Sequence, residues 1–364
     1  MSDFHKKFIG LYFETISHKR NSYKSLVRTH LHNIYRVIYY YERVLDWLTR
    51  RLSKDQICLS LVYNDNFFIK NLDSFAVTYD LLSDEHSRSK YVKYICYKAI
   101  NSNAITLDIE PMDIAKDIKQ VSNCKVTSDA LEGLSNVETY SVYDLSPLGY
   151  EVKIINDSIG TLIDFVYEQY AYEDLFRVDD GDVVIDCGGA IGDTAIYFAA
   201  KGASKVYAFE FIQSSIEIIK RQIEINPDLK SKIVIVDKPV WDASNVELSY
   251  LDHGNASRVA DAGVYPNRVK TLSIDDMVAS NELENVDLIK MDIEGAEMPA
   301  LRGAEETIRK YKPKLAICVY HEKNDLIVIP DYIRSLNPNY EFYFEYYTDV
   351  GWEAVLYAVN REVT

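Results

Sequence analysis

"DVVIDCGGAIGDTAIYF", residues 182–198, reads as a buried strand, a glycine turn and the start of a helix. A short apolar run closed by an acid and glycines is the pattern of a strand covered on both faces. Gly188, Gly189 and Gly192 let the backbone turn tightly and approach a ligand, because no Cβ stands in the way. A turn of this kind holds a nucleotide-like cofactor at the carboxyl end of an α/β sheet. The spacing excludes two common ones. Counted from Gly188, the dinucleotide pattern G-x-G-x-x-G needs glycines where the chain has Ala190 and Asp193, which disfavours an NAD-dependent oxidoreductase. A P-loop needs Gly-Lys-Ser/Thr, and the turn has no lysine.

The acids narrow the choice further. Asp186 ends the strand and Asp193 opens the helix. A phosphate bound at a helix N-terminus is favoured by the absence of competing anions, so two carboxylates here favour a cationic ligand. S-adenosylmethionine (SAM) carries a sulfonium and an ammonium and no phosphate. Glu210 ends the second strand-like run, 22 residues after Gly188, about where an acid binds ribose hydroxyls. Asp-x-Gly-x-x-x-Gly followed by that acid reads as a SAM site. The plainer alternative makes Asp193 a helix N-cap and Asp186 a partner for backbone amides.

Outward from this strand the alternation continues. "KVYAFE" precedes a helix over 213–226, "IVIV" spans 233–236, and an irregular β-rich patch covers 245–272 before a helix from 274. "VDLIKMD" leads to a helix from 296 and "KLAICVY" to one near 326–336. Strand–helix alternation implies right-handed crossovers and a parallel sheet covered by helices. "EFYFEYY" and "AVLYAVN" are separated only by "TDVGWE", too short for a crossover, so they predict an antiparallel terminal hairpin.

Ahead of residue 180 the pattern is helical. Leu31, Ile34, Val37, Ile38, Tyr41, Leu45 and Leu48 recur along one face. Residues 81–100 predict a helix with Ser83 as N-cap and Asp84 and Glu85 in its first turn. Residues 101–150 show no clear period. The chain therefore divides into a mainly helical N-terminal region, 1–150, for packing or oligomerisation, and a catalytic α/β domain, 151–364.

The 364 residues carry a net charge of −16, with 48% hydrophobic and 26% charged residues. That acidity disfavours nucleic acid or an anionic membrane as main partner. Residues 1–50 carry +5 and the remainder −21. The basic arm reads as a helical extension with solvated charges, and His5, His18, His30 and His32 as its surface. Cysteines 58, 96, 124, 187 and 318 have no paired spacing, so neither a disulfide framework nor a zinc site is expected, in keeping with the cytoplasm. "VIYYY" is too short for a signal or membrane segment.

Several segments together resemble the FkbM-type SAM-dependent methyltransferases, over about residues 165–360. They are "YEDLFRVDDGDVVIDCGGAIGDTAIYF", "KVYAFEF", "TLSIDDM", "VDLIKMDIEGAEMPALRGAEETI" and the closing strands. Many members read Gly-Ala-Asn where this chain has Gly188-Gly189-Ala190, and proline where it has Phe211. The resemblance implies a Rossmann-like class I methyltransferase fold and SAM as cofactor. Asp186, Gly188 and Gly192 would frame the methionine end, with Gly189, Asp193 and Thr194 in the same turn. Glu210 would hold the ribose, Phe211 line the adenine, and Asp237, ending strand three, meet the adenine from its loop. "LLSDEHSRSKY" resembles a helix preceding the core in members associated with bacterial glycans, which implies a sugar or glycan-precursor hydroxyl as acceptor.

Methyl transfer from a sulfonium is an in-line displacement, so positioning supplies much of the catalysis. An alcohol acceptor also loses a proton, and a positioned base adds about 10²–10⁴-fold. Asp292 and Glu294 follow strand four, and His321 follows strand five. His321 is the expected base, with Asp292 and Glu294 beside it and Asp292 also facing the cofactor. Glu297, one turn into the next helix, reads as structural. A metal on Asp292, Glu294 and His321 lacks a ligand-spacing signature, so none is expected. The alternatives are a methyltransferase acting on a lipid or natural-product hydroxyl, and a non-catalytic SAM-binding module that assembles through the N-terminal region.

Overall fold

The run Val183–Cys187 (β1) is an interior strand of a seven-stranded sheet in the computed structural model of the chain. The structure describes residues 2–12, 67–100, 107, 109, 113–252, 257–261, 263–281 and 283–361. The helical face read over Leu31–Leu48, together with His18, His30, His32 and Cys58, lies outside them. The other strands are β2 (Lys205–Phe209), β3 (Ile233–Val236), β4 (Leu288–Met291), β5 (Lys314–Cys318), β6 (Tyr340–Tyr346) and β7 (Ala354–Asn360). Their order is β6-β7-β5-β4-β1-β2-β3, parallel except for β7, which runs antiparallel to both neighbours. The parallel sheet with its terminal hairpin is as the sequence reads.

Burial explains the apolar runs. Every residue of β4 is buried, as are the last four of β1, β2 and β5. Helices α1 (Asp193–Ala200), α2 (Gln213–Glu224), α3 (Ile274–Ser280), α4 (Glu297–Arg302), α5 (Glu305–Tyr311) and α6 (Asp325–Leu336) accompany the strands. The chain leaves β1 toward β2, while β4 returns on β1's other side. That reversal opens a crevice beyond the strands' carboxyl ends, where ligands bind in such sheets.

The patch at 245–272 is a three-stranded antiparallel sheet with Glu247–Leu251 at its centre. Residues 101–150, unassigned from sequence, contain the helix Ile114–Ser122 and the strands Lys125–Val126 and Ser141–Asp144. Ser141–Asp144 pairs with Lys125–Val126 on one side and Lys153–Asn156 on the other, both antiparallel, in a second small sheet. Its edge is closed by side chains of α2 and the residues after it. Gln222 donates to Ile155 O and accepts from Ile155 N, both at 2.8 Å, and Asn226 does the same for Lys153 at 2.7 and 2.9 Å. The amides thus stand in for a neighbouring strand and leave no bare edge there. Gln222→Leu strands a buried N–H and C=O, so it should cost about 2–4 kcal/mol. Urea unfolding checks this, and unchanged stability would mean that water replaces the amide.

The chain divides into two units, Met1–Asp108 with Thr348–Gly351, and Ile109–Tyr347 with Trp352–Thr364. The first is helical where described, over 3–12, Phe67–Lys70, Leu72–Leu81 and Glu85–Ile100. Aromatic packing forms its core: Phe4 stands 5.5 Å from Tyr79 and 6.3 Å from Tyr91 between ring centroids. One boundary differs from the sequence reading. Leu81 ends the preceding helix, and the next begins at Glu85, with Asp84 Oδ1 accepting from Ser87 N at 2.6 Å. Asp84, one residue before the first helical position, takes the capping role assigned to Ser83. Among the described residues no helix is long and apolar enough to cross a membrane.

Candidate active site

The glycine turn is fixed by its neighbours. Gly188 has φ +83°, and a Cβ there would lie 1.9 Å from Asp292 O, so only glycine lets the β1 and β4 loops meet. The N–H groups of Gly188 and Gly189 both donate to Phe209 O, at 3.2 and 2.9 Å. Gly192, not Asp193, occupies the N-cap of α1. Asp193 instead accepts from Thr194 N at 3.0 Å and from Asn156 Nδ2 at 2.9 Å. Ala190, where the dinucleotide pattern wants glycine, has φ +42°, a conformation costly for a residue with a Cβ.

Register places the next feature. Asp186 and Lys290 are directly paired across β1 and β4, so both side chains leave the same face. They form an ion pair at 3.0 Å with side chains 0% and 2% exposed. Thr194 Oγ1 donates to Asp186 Oδ2 at 2.7 Å, and Lys290 Nζ donates to Gly188 O at 2.6 Å. Burial alone would strip Lys290 of its proton, but Asp186 and Asp292 outweigh it and hold the amine above its ordinary range. The pair ties the turn to the sheet.

A first cavity opens on the β2 side, lined by Phe209, Glu210, Phe211, Lys238, Pro239 and Val240. Glu210 Oε1 accepts from Phe211 N at 2.6 Å and Ile212 N at 2.7 Å. Burial pushes its carboxyl up to about 7, against the lowering by these amides. Phe211 meets Tyr250 edge-on at 5.2 Å. Asp237 is exposed and does not line either cavity described here. The chain turns sharply after β3, with Lys238 N donating to Val236 O at 2.9 Å. The turn aims Asp237 outward and presents the next three residues instead.

A second cavity lies on the β4–β5 side and shares Gly188, Ala190, Asp292 and Glu294 with the first. Asp292 accepts from Tyr170 Oη at 3.2 Å and Tyr320 Oη at 3.0 Å. His321 Nε2 stands 3.5 Å from Asp292 Oδ1 and 3.8 Å from Glu294 Oε2. Its Nδ1 is 2.9 Å from Glu297 Oε1, which also accepts from Ile293 N at 2.9 Å. Burial would lower the imidazole's pKa, but the bond to Glu297 and the charges of Glu297, Asp292 and Glu294 raise it to about 9. The ring therefore keeps its proton at neutral pH. That departs from the sequence reading of His321 as a free base, because spacing alone does not reveal three acids around one ring. Burial also raises Glu294, whose backbone has φ +58°.

Sequence reasoning missed Asp164, Gln169, Tyr170 and Glu353, which line the same cavity. Gln169 Nε2 donates to Glu353 Oε2 at 3.1 Å. Burial, with Asp292 nearby, raises Glu353 to about 8. Burial and the charge of Asp193 push Asp164 well above the usual carboxylate range. A signal existed for one of them: Asp164 is a lone acid inside the apolar run "LIDFV". Glu353 and Gln169 come from segments 184 residues apart, and no local pattern joins them.

Residues 186–359 match the family model described as the Methyltransferase FkbM domain. No curated protein matches the sequence. Among solved structures, the methyltransferase FkbM of Methylobacillus flagellatus KT superposes with a TM-score of 0.51 at 18% identity. That match covers 80% of this chain and 59% of the other, so this chain spans less than two thirds of that relative. An rRNA methylase from Streptococcus thermophilus gives 0.35 at 13% identity, covering 55% of this chain and 95% of that one. Aeropyrum pernix fibrillarin, in complex with natively bound SAM, gives 0.31 at 14%, covering 50% and 67%.

Proposed function

We propose that this chain, whose residues 186–359 match the Methyltransferase FkbM domain, transfers a methyl group from SAM to a hydroxyl of a sugar or glycan precursor. The observation that carries the reading is the pair of cavities meeting at Gly188, Ala190, Asp292 and Glu294. Adenosine occupies the first, with Glu210 on the ribose and Phe211 against the adenine. The methionine end follows the glycine turn past Asp193 and Thr194, with Asp186 and Lys290 bracing the turn from below. The sulfonium then stands at the junction, and the acceptor shares the second cavity with the methionine end, which lies along its Asp193–Thr194 wall. The lining of Asp164, Gln169 and Glu353 supports a polyhydroxylated acceptor, since each offers hydrogen bonds that an apolar ligand would leave unmade.

In the transfer, the acceptor oxygen attacks the methyl carbon and the C–S electron pair leaves with sulfur. The products are a methyl ether, S-adenosylhomocysteine and a proton. Because His321 already carries a proton, the carboxylates of Asp292 and Glu294 accept the one released. The described cysteines are free and buried, which supports a reducing, cytoplasmic setting. The N-terminal region, 1–150, supplies packing or self-association contacts in this reading.

The test is a screen with SAM against nucleotide sugars, oligosaccharides and lipid or natural-product alcohols, read by mass spectrometry and S-adenosylhomocysteine release. A methylated sugar is expected, and methylation confined to lipid or natural-product alcohols would overturn the acceptor class. The cofactor half has a pH signature. Glu210 binds ribose hydroxyls as the carboxylate, and its proton leaves near pH 7. SAM affinity should therefore rise about tenfold from pH 6 to pH 8. Glu210→Gln should flatten that slope. An equal slope in the variant would remove Glu210 from the ribose.

A further inference from the structure

We propose that His321 Nε2, Asp292 and Glu294 bind a divalent cation of the Mn²⁺ type, facing the acceptor hydroxyl. Its purpose rests on the methyl-transfer reading, but its geometry does not. Glu297 is 1% exposed and pins the imidazole through Nδ1. The ring is thereby turned so that Nε2 faces Asp292 Oδ1 at 3.5 Å and Glu294 Oε2 at 3.8 Å. The His321 side chain is 2% exposed, and Nε2 is buried without a hydrogen-bond partner. A buried polar atom left unmade costs about 1–3 kcal/mol, and these separations are long for N–H···O bonds. They suit two ligand atoms on one ion, since bonds of about 2.1–2.2 Å leave such atoms between 3 and 4 Å apart.

Asp292, Glu297 and His321 offer ligand atoms that all lie within 4.8 Å of one another. Glu294 Oε2 also accepts from Arg258 Nε and Nη2 at 3.4 Å, so a cation here takes the place of that guanidinium on Glu294. Glu297 Oε1 is already occupied by Nδ1 and Ile293 N, so Glu297 acts as the outer carboxylate that orients a metal-binding histidine. His321 gives up its Nε2 proton to solvent when the cation enters, and one imidazole with two carboxylates then forms a mixed N/O set suited to Mn²⁺ rather than to a thiolate-seeking ion. Asp292 and Glu294 line both cavities, so the open coordination positions look toward both donor and acceptor. A hydroxyl on the cation loses its proton more readily. That proton passes to the Glu294 oxygen not on the cation, the alkoxide takes the methyl group, and S-adenosylhomocysteine leaves neutral. No sequence signature marks the site, because its ligands come from two separate strand ends.

The experiment titrates the full chain with Mn²⁺ alone and reads the free ion by electron paramagnetic resonance. Wild type should retain one equivalent. Glu297→Gln should weaken it about 10–100-fold, and His321→Gln by at least as much, with SAM affinity measured on each variant as the check of folding. No retained Mn²⁺ in wild type overturns the site, as does equal retention by a folded Glu297→Gln. Retention that responds to these variants, in a chain that methylates no hydroxyl, would uphold the site and sink the methyl-transfer reading.

Discussion

Asp186→Ala is expected to destabilise the protein by about 3–5 kcal/mol, because it leaves the buried Lys290 amine without its ion-pair partner. Lys290 is 1% exposed, and its remaining neighbour in hydrogen-bond range is a carbonyl, Gly188 O. Thr194 also loses the acceptor of its hydroxyl, which loosens the first turn of α1. Urea unfolding measures the loss. Asp186→Ala combined with Lys290→Met removes both charges and should recover more than half of it, since a buried pair contributes little beyond its own compensation. A single variant as stable as wild type would show that the pair does not brace the glycine turn.

The second large effect concerns turnover. Asp292→Asn is expected to lower it by about 10²–10⁴-fold and to weaken SAM binding as well. Asp292 lines both cavities and accepts from two tyrosine hydroxyls, so one change disturbs donor and acceptor together. Glu294→Gln should lower turnover with a smaller loss of SAM affinity, because Glu294 also lines both cavities but makes no bond to the two tyrosines that hold Asp292. Single-turnover kinetics with calorimetry separates the two. Should both variants turn over normally, positioning alone would carry the reaction.

The sheet was legible because its strands are short apolar runs, the first four closed by acids or glycines. "VVIDC" and "LIKM" leave no ambiguous face, and the six residues between the last two strands forbid a crossover. Strand-end acids were legible for the same reason: Asp186, Glu210 and Asp292 stand where the run stops. What a side chain meets across the crevice was not. Lys290 is a lone cation in an apolar strand, and only register shows Asp186 as its partner. His321 reads as a strand-end base, yet three acids from the segment after β4 raise its pKa. Asp237 shows the limit at a single residue, since a sharp turn after Val236 moves the cavity wall to Lys238 and beyond. Glu353 enters from the loop before β7, whose conformation no motif encodes.

Calorimetric titration of the full chain with SAM, repeated with NAD, tests the central claim that this glycine turn holds a sulfonium cofactor. One SAM per chain, displaced by S-adenosylhomocysteine and with no heat from NAD, is the predicted result. Binding of NAD with no affinity for SAM would contradict it.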